Sequence, residues 1–489
     1  MKKSFLLNFI SVLLIMAVFC SCGQNGDIVL PEGANTADGN AIYTLETDSL
    51  NEIFSDSSKT EEASSEGSSS TEIDNSSNSA SVSIRSKTQP SSAKSSISSK
   101  TASSSSVKAA ASSKPVASSG GGASYSPVYY SRPMRAMWIS QWNLKPLFST
   151  SSSTFRSRIK TMMKKIKDYG FNTVIVQLRP NGDAFYSSSY YPWSYFVTGT
   201  VDKAPNYDPT AIMVEEAHKL NLSFHAWFNP LRLAATNYME ATSSKWQTKK
   251  WYLEKKGDYV VQVSGCWYLN PAYSEVRNLI INGAKEIAQK YKVDALHIDD
   301  YFYPTTASSF DATAYKKLGG GASLASWRTN NINTLVRGIY SAVKNVNSKI
   351  KFGISPAGNI NNNISELYAA VSLWGSSSGY MDYCIPQIYY GYNHSIAYVR
   401  YKNLVEEWKK IITNSYCDLV VGLGAYKLGT VDGGSTEWQT NTVILKSEVQ
   451  DAKSILGGLY RGFCIFDYDS FFSTAGINTS NRNNLKSVI

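Results

Sequence analysis

Short apolar runs alternate with longer segments of helical spacing from residue 132 to the end of this 489-residue chain. The runs are four to six residues long, rich in Val, Ile and aromatic residues, and mostly uninterrupted, which is typical of strands buried on both faces. They predict eight strands, at Ala136–Ser140, Thr173–Leu178, Ser223–Phe228, Ala295–Ile298, Lys351–Ser355, Tyr383–Ile388, Leu419–Gly424 and Gly462–Phe466.

Between these runs, apolar residues recur every three or four positions, which predicts helices with one apolar face. Ile159, Met162, Met163 and Ile166 form one such face. Strands that alternate with helices in this way predict an α/β fold, a (β/α)8 TIM barrel over 132–489, with insertions at 234–267 and 305–323. The predicted helices are Phe155–Tyr169, Pro209–Leu220, Glu275–Tyr291, Ala325–Val346, Ile396–Ile412 and Thr442–Leu456.

The first 22 residues have the pattern of a targeting signal. Two lysines precede an apolar run from Phe5 to Phe19, which has the length of a signal-peptide core and is too short to span a membrane. A small residue before Cys22 resembles a bacterial lipobox, so Cys22 is the predicted lipidation site, with Cys20 or ordinary secretion as the alternatives. The pattern therefore predicts an extracytoplasmic lipoprotein held by its lipid anchor on the outer face of the cell membrane.

Residues 23–131 are predicted to be a disordered linker. From Ser55 to Ser124 there are 29 serines in 70 residues and no aromatic residue, so too little apolar surface is available to offset the entropy of ordering. A flexible chain of this length spans about 50–60 Å on average. Residues 1–131 carry a net charge of −3 and residues 132–489 a net charge of +13. The basic residues of 132–489 are spread along helices, so nucleic acid is not an expected partner.

Polar or aromatic residues follow every predicted strand, at the barrel end where TIM-barrel enzymes place their functional groups. Aromatic residues make up 53 of residues 132–489. Their flat rings, beside amides and carboxylates, suit a sugar polymer. No phosphate loop, nucleophile elbow or paired-histidine zinc motif is present, so neither a cofactor nor a metal is predicted. The predicted substrate-binding residues are Trp138, Gln177, Arg179, Asp183, His225, Trp227, Asn229, Arg232, His297, Tyr301, Gln387, Tyr389, Tyr426, Lys427 and Asp467.

Asp299 and Asp300 are the predicted catalytic pair. Adjacent carboxylates repel each other, so one pKa rises or one proton is shared, which is what the general acid for a glycosidic oxygen needs. Neighbouring residues of a strand point to opposite sides, so both can reach one ligand only where the strand turns into its loop. The alternatives for this pair are a metal site and an ion pair with Arg179 or Arg232.

Seven short motifs follow one another in barrel order: RAMW at 135–138, QLRPNGDAFY at 177–186, HAWFNPLR at 225–232, HIDDYFYP at 297–304, SPAG at 355–358, PQIY at 386–389 and GAYK at 424–427. Together they resemble the glycosyl-hydrolase-like family 10 over about residues 132–474. The resemblance implies a (β/α)8 barrel and an extracytoplasmic hydrolase of peptidoglycan glycan. In at least one branch of the family, the substrate is glycan stripped of its peptides.

Adjacent acids after the fourth strand also resemble the N-acetylhexosaminidase barrels, in which the acetamide of the substrate is the nucleophile. This resemblance implies that Asp300 is the general acid and base and that Asp299 orients the acetamide, with Tyr389 and Asn229 holding the sugar ring. A protein nucleophile stays open as well. No glutamate stands at a strand end, so the carboxylates available for that role are Asp183, Asp299, Asp467 and Asp469.

Two other classes of function remain compatible with the sequence. A metal-dependent polysaccharide deacetylase would use His225, His297 and Asp299, because neutral imidazoles and a carboxylate can ligate zinc. A non-catalytic glycan-binding lipoprotein would keep the aromatic residues without needing Asp300.

Overall fold

Eight parallel strands form a closed barrel in a computed structural model that describes residues 125–128 and 133–489. The predicted (β/α)8 barrel is therefore confirmed, and its last strand closes it by pairing with the first. The predicted signal peptide, the lipidation of Cys22 and most of the linker lie outside the described residues. The barrel strands are β1 (Met134–Ile139), β2 (Thr173–Arg179), β3 (Ser223–Phe228), β7 (Ala295–Ile298), β8 (Lys351–Ile354), β9 (Tyr383–Cys384), β10 (Asp418–Gly424) and β11 (Tyr460–Phe466).

Helices follow these strands along the chain. The Ser151 side chain accepts a hydrogen bond from Thr154 N at the start of the helix Ser152–Tyr169, and Gly170 ends that helix with a φ of 118°, a conformation that favours glycine. The helices are α1 (Gln141–Leu144), α2 (Ser152–Tyr169), α3 (Tyr195–Thr198), α4 (Pro209–Lys219), α5 (Thr236–Ala241), α6 (Gln247–Glu254), α7 (Ser274–Lys290), α8 (Ala312–Leu318), α9 (Leu324–Val346), α10 (Ile360–Ser365), α11 (Val371–Ser376), α12 (Tyr401–Ile411), α13 (Glu437–Thr440), α14 (Ile444–Leu456), α15 (Tyr468–Phe471) and α16 (Gly476–Leu485). None of the helices among the described residues is long and apolar enough to cross a membrane.

The first predicted insertion folds as a small unit beside the barrel. Strands β4 (Arg232–Ala235), β5 (Val260–Val263) and β6 (Cys266–Leu269) form an antiparallel sheet with β6 in the centre. Helices α5 and α6 lie between β4 and β5 in the chain. The insertion follows β3, so it lies at the C-terminal ends of the barrel strands, where the candidate catalytic residues also lie.

The sixth barrel strand is shorter than its apolar run predicts. Ladder pairing of β9 ends at Cys384, whereas the run continues to Ile388. The reason is Pro386, which has no N–H to donate to a neighbouring strand. Beyond it, Gln387 forms only isolated bridges to the two neighbouring chain segments.

The lower part of the barrel interior is filled by a polar aromatic cluster. The hydroxyl oxygen of Tyr383 lies 2.9 Å from Nδ1 of His225 and 3.2 Å from Nδ1 of His297. Gly353 of the neighbouring strand faces the Tyr383 ring, where an added Cβ would lie only 1.9 Å from the ring Cζ. The absence of a side chain at Gly353 therefore leaves room for the Tyr383 ring, which fills the barrel interior below the C-terminal ends of the strands.

Residues 125–128 pack against the opposite end of the barrel, where the strands begin. The Tyr125 hydroxyl donates to Asp294 Oδ1 at 3.0 Å, and Asp294 directly precedes β7. Asn347 Nδ2 donates to the Tyr125 carbonyl at 2.6 Å. These residues belong to the predicted linker, yet they contact the folded domain. Tyr125 makes the contacts described above, and it is the first aromatic residue after the serine-rich segment.

Candidate active site

A cleft of about 1490 Å³, counting its open mouth, lies at the C-terminal ends of the barrel strands. Most of the predicted site residues line it. They are Trp138, Gln177, Trp227, Arg232, Asp299, Asp300, Tyr301, Gln387, Tyr389, Tyr426 and Lys427.

Asp299 and Asp300 both reach this cleft because β7 ends at Ile298. Within β7 the residues alternate, and His297 points into the barrel where its Nε2 lies 2.9 Å from Ser355 Oγ. Asp299 continues this inward series and is 4% exposed. Asp300 would point outward if the strand continued, but the chain has already turned, so this carboxyl is half-buried at the cleft wall.

Three donors hold the Asp299 carboxylate. Trp227 Nε1 and Asn229 Nδ2 donate to Oδ2 at 2.9 and 2.7 Å, and the backbone N–H of Tyr301 donates to Oδ1 at 3.3 Å. Trp227 and Asn229 belong to the neighbouring strand β3 and the loop that follows it. A buried carboxylate with donors on both oxygens is fixed in one rotamer, so Asp299 is a rigid acceptor.

A series of hydrogen-bonded amide groups links the Asp299 carboxyl group to β2 and to the residue that follows Ser140. Asn229 Oδ1 accepts from Gln177 Nε2 at 2.7 Å, and Gln177 Oε1 accepts from the backbone N–H of Gln141 at 2.9 Å. Because each amide has one donor and one acceptor engaged, the orientation of every member is determined by the next. Asp299 is thereby held by residues that follow or belong to three consecutive strands.

Asp300 accepts its hydrogen bond from a different residue, Gln387, which follows β9. Gln387 Nε2 donates to Asp300 Oδ1 at 2.9 Å and to the carbonyl of Ser355 at 3.0 Å. The backbone of Gln387 is itself anchored, since its N–H donates to the Pro356 carbonyl at 3.0 Å. A rigid amide therefore points at one oxygen of the half-buried acid.

Burial raises the pKa of both carboxyl groups, and the charge of Asp300 raises the pKa of Asp299 further. The repulsion between the two groups favours a single proton shared by the pair. The hydrogen bond from Trp227 lowers the pKa of Asp299, but burial and the charge of Asp300 outweigh it. The pKa of Asp299 rises to about 8 and that of Asp300 to about 6.

Four aromatic rings pack together in one part of the cleft wall. Trp138 packs edge-on against Tyr389 and Phe466, with centroid distances of 6.4 and 5.9 Å. Tyr389 stacks on Phe466 at 5.8 Å, and Tyr426 meets Tyr389 edge-on at 5.6 Å. These rings offer flat apolar surface close to the carboxyl pair, which suits the C–H face of a sugar ring.

Lys427 lines the cleft beside this wall and is already paired. Its Nζ lies 2.6 Å from Asp432 Oδ1, and it stands 5.1 Å above the ring of Tyr390. Burial lowers the pKa of Lys427, although the nearby Asp432 opposes that shift. Asp432 therefore neutralises the charge of Lys427, and the ion pair forms a polar part of the cleft wall.

The two predicted histidines lie below the cleft, and the structure does not bring them to its wall. Both His225 and His297 contact the Tyr383 hydroxyl, and burial lowers the pKa of His225 to about 4 and that of His297 as well. Ser223 and Ser355 occupy their other ring nitrogens. Within 125–128 and 133–489, no group of three or more His, Cys, Asp or Glu side chains is placed to hold a metal ion.

Three further predicted residues lie outside the cleft. Arg179 is buried, donates to the Asn229 carbonyl and stands 4.1 Å above the Tyr191 ring, so it shapes the loop that carries Asn229. Asp183 lines a separate hollow beside the cleft. Asp467 accepts from Asn143 Nδ2 at 2.9 Å and caps α15.

Several residues of the cleft wall were not among the predicted site residues. Glu366 lies at the end of α10 and reaches the cleft, and burial raises its pKa. Since it follows a helix, the strand-end rule does not find it. Phe466 had been assigned to the last strand only, and Tyr268 belongs to the insertion. The further members are Phe302, Pro304, Ala357, Gly358, Asn362 and Leu367. Six residues that follow predicted strands also line the cleft, namely Ser140, Gln141, Trp142, Tyr303, Ser355 and Tyr390.

Comparison with known proteins identifies the family. Residues 133–440, more than half of the chain, match the family described as Glycosyl hydrolase-like 10. The chain belongs to this family. The resemblance carried by the seven motifs is thereby confirmed. Asp299, Asp300 and the residues that donate hydrogen bonds to them lie within the matched range, whereas Phe466 of the cleft wall lies beyond it.

Named relatives of the Glycosyl hydrolase-like 10 chain agree with this assignment. It is 35% identical to glycosyl hydrolase YngK of Bacillus subtilis (strain 168) over 322 residues, which cover 61% of each chain. It is 31% identical to glycosyl hydrolase DigH of Escherichia coli (strain K12) over 344 residues, which cover 64% of this chain and 77% of the relative. The match thus spans less than two thirds of YngK.

A solved structure shows the same fold. The glycoside hydrolase domain of PgaB (BpsB) from Bordetella bronchiseptica superposes with a TM-score of 0.51 and 11% identity. The likeness covers 72% of this chain and 98% of that domain. At this identity it shows the barrel alone.

Proposed function

We propose that this protein is a glycoside hydrolase that cuts glycosidic bonds in an N-acetylated cell-wall polysaccharide, the glycan strands of peptidoglycan. The observation that carries the proposal is the Asp299–Asp300 pair, buried with raised pKa values in a cleft walled by aromatic rings. Membership in a glycosyl hydrolase-like family and the names of the relatives YngK and DigH support the reaction class.

In the first step Asp300 acts as general acid. Its proton passes to the glycosidic oxygen, the bond between that oxygen and the anomeric carbon breaks, and the leaving sugar departs as an alcohol. The acetamide oxygen of the substrate attacks the same anomeric carbon and forms an oxazolinium ring. In the second step Asp300 takes a proton from water, and the resulting hydroxide opens the ring at the anomeric carbon.

Asp299 suits the orienting role because three hydrogen bonds hold its carboxyl group rigidly. The acetamide N–H of the sugar donates to Asp299 Oδ1, whose partner within the protein is the Tyr301 N–H at 3.3 Å. The negative charge of Asp299 also stabilises the positive charge that develops on the oxazolinium ring. Trp227 and Asn229 keep the carboxylate from rotating away during this change.

The position of the histidines disfavours a deacetylase. His225 and His297 contact Tyr383, Ser223 and Ser355 beneath the cleft and do not converge on Asp299. A zinc site of two histidines and one carboxylate requires all three side chains within about 2.2 Å of one point.

The proposed location is outside the cytoplasm, on a lipid anchor at Cys22. Residues 125–128 join the barrel at the end where the strands begin, whereas the cleft lies at the end where they finish. An anchor upstream of Tyr125 would therefore leave the cleft facing away from the attachment point. Metabolic labelling with a fatty acid tests the anchor, since Cys22→Ala should abolish incorporation and Cys20→Ala should retain it.

Mass spectrometry of the products tests the reaction. The purified protein is incubated with peptidoglycan glycan that carries stem peptides and with glycan stripped of them. Shorter N-acetylated saccharides are the expected product, with the stripped glycan cut faster. Loss of acetyl groups without chain cleavage would indicate a deacetylase, and unchanged glycan from both substrates would contradict the proposal.

A thiazoline inhibitor tests the nucleophile. This compound imitates the oxazolinium ring, so an enzyme that uses the substrate acetamide should be inhibited in competition with glycan. Hydrolysis that continues unaffected at saturating inhibitor would instead favour a protein carboxylate, and Glu366 then joins Asp299 among the candidates because both line the cleft.

A further inference from the structure

Glu366 is an acid of the cleft wall that the proposed mechanism does not use. It follows α10 and is half-buried where it lines the cleft. None of the described residues hydrogen-bonds to its carboxyl oxygens, and burial is what raises its pKa. A partly desolvated carboxyl group without donors is unfavourable unless a ligand supplies them.

The hydroxyl group of Tyr390 is a second open polar group of the cleft wall. Tyr390 is half-buried, and within 125–128 and 133–489 its hydroxyl has no hydrogen-bond partner. Burial raises the pKa of this hydroxyl, and three nearby acids raise it further, namely Asp432, Asp300 and Glu366. The group therefore stays protonated as a hydrogen-bond donor, in the neighbourhood of both Asp300 and Glu366.

The strand order gives the two acids of the Asp299–Asp300 pair different surroundings. β7 lies between β3 and β8 in the barrel. Asp299 accepts from Trp227 and Asn229 on the β3 side, whereas Asp300 accepts from Gln387, which follows β9 beyond β8. In the proposed mechanism, the first acid orients the sugar that carries the acetamide and the second protonates the oxygen of the leaving sugar. The leaving sugar is therefore expected on the β8 and β9 side.

Hydrogen bonds and close packing hold the end of α10 on that side. Asn363 Nδ2 donates to the Ala357 carbonyl at 2.7 Å, and the Ala357 N–H donates to Asn363 Oδ1 at 3.1 Å. The next residue, Gly358, lies against Gln387, because an added Cβ would be 2.1 Å from the Gln387 carbonyl oxygen. The helix that precedes Glu366 is thus tied to the segment that packs on the donor to the general acid.

We infer that Glu366 and Tyr390 bind the leaving sugar, with Glu366 accepting hydrogen bonds from its hydroxyl groups and Tyr390 donating one to a sugar oxygen. The inference rests on the proposed function and extends it to the second sugar of the cleaved bond. A pyranose ring offers neighbouring hydroxyl groups as donors, and a carboxylate can accept on both of its oxygens. Because these contacts are present before the bond breaks as well as during cleavage, they should affect KM more than kcat.

Two substrates that share one N-acetylated glycan chain but differ in the leaving group test this inference. One has a further sugar beyond the cleaved bond, and the other has a nitrophenyl group in place of that sugar. Glu366→Gln should raise KM for the first substrate by roughly threefold to tenfold, because a charged acceptor is lost, and leave KM for the second unchanged. Tyr390→Phe, which keeps the ring and removes only the hydroxyl, should show the same selectivity.

The thiazoline inhibitor provides a second readout that needs no turnover of the nitrophenyl substrate. It occupies only the site of the sugar that carries the acetamide, so its inhibition constant should be the same for the wild type and for both variants. Glu406→Gln is the matched control, because Glu406 is exposed on α12 and does not line the cleft. This control should keep the wild-type KM for both substrates.

The two proposals fail in different ways. If the wild-type protein cuts the sugar substrate and both variants keep its KM, neither residue binds the leaving sugar. Equal rises in KM for the two substrates, or weaker thiazoline binding by the variants, would also overturn the inference. If the wild-type protein cuts neither substrate, the proposed function itself is wrong. The variants lie in separate segments, so a folding defect in one, detected by circular dichroism, leaves the other to decide.

Discussion

Two acidic pairs follow strands of the same barrel, Asp299 and Asp300 after β7 and Asp467 and Asp469 after β11. In the sequence the two pairs look alike, since each stands directly after a buried apolar run. In the structure they differ. Asp299 and Asp300 line the cleft with raised pKa values, whereas neither Asp467 nor Asp469 is part of its wall.

The path of the chain after each strand accounts for the difference. After β11 the chain enters α15 at once, and Asp467 becomes the cap of that helix by accepting from the backbone N–H and the hydroxyl of Ser470. Asn143 Nδ2 then donates to both Asp467 and Asp469, and Asp469 stays exposed. After β7 no helix begins, so the loop keeps both acids at the cleft.

The largest expected effect is on kcat, which should depend strongly on Asp300 and little on Asp467. Asp300→Asn should lower kcat by about 10²–10⁴-fold, because the amide cannot donate a proton to the leaving oxygen. Asp467→Asn should change kcat less than threefold, since asparagine still caps a helix well. Steady-state hydrolysis of glycan measures both variants. Equal losses would show that the two pairs do not differ in function.

A smaller loss is expected at the orienting acid. Asp299→Asn should lower kcat by about a hundredfold, since the charge that stabilises the oxazolinium ring is gone. It should also weaken binding of the thiazoline inhibitor, whereas Asp469→Asn should leave both quantities unchanged. Inhibition that is retained in full by Asp299→Asn would contradict the orienting role.

The third prediction concerns stability and pH. A carboxyl whose pKa is raised by folding stabilises the protein below the unfolded value of about 4 and loses that contribution as pH rises through the folded value. Asp300→Asn should therefore raise the free energy of unfolding at pH 8 by on the order of 1 kcal/mol and change it little at pH 4. Denaturant unfolding at the two pH values, with Asp467→Asn as the control, measures this. If Asp300→Asn were less stable than the wild type at pH 8, burial of the Asp300 charge would not destabilise the protein.

The smallest effect is expected at the helix cap. Asp467→Ala should lower the free energy of unfolding by about 1 kcal/mol, because the Ser470 N–H and hydroxyl lose their acceptor. Activity should remain near that of the wild type. Denaturant unfolding and glycan hydrolysis of the same preparation measure the two quantities, and a variant with normal stability but lost activity would move Asp467 into the mechanism.

Most of the barrel and the core of the site could be predicted from local patterns. The strand periodicity and the motif order placed Trp138, Gln177, Trp227 and Asp299 on a common rim, and all four line the cleft. His225 and His297 share that periodicity, but they sit one layer lower. A strand pattern gives the side to which a residue points and its order along the strand. It does not give the depth at which the cleft ends, which depends here on Tyr383 filling the barrel beside both histidines.

The residues that escaped prediction share another cause. Glu366 follows a helix and Tyr268 belongs to the insertion, and both reach the cleft only because distant segments fold over its mouth. No local pattern encodes the approach of segments that are far apart in the chain.

Periodicity and composition alone established the alternating architecture, the family motifs and the adjacent carboxyl groups, because each depends on neighbours in the sequence. Tertiary structure decided which acids share a low-dielectric cleft, since burial and hydrogen bonding arise from side chains brought together across several strands. Asp299 is an orienting candidate because Trp227 and Asn229 donate to it, and Asp467 is a cap because α15 begins beside it.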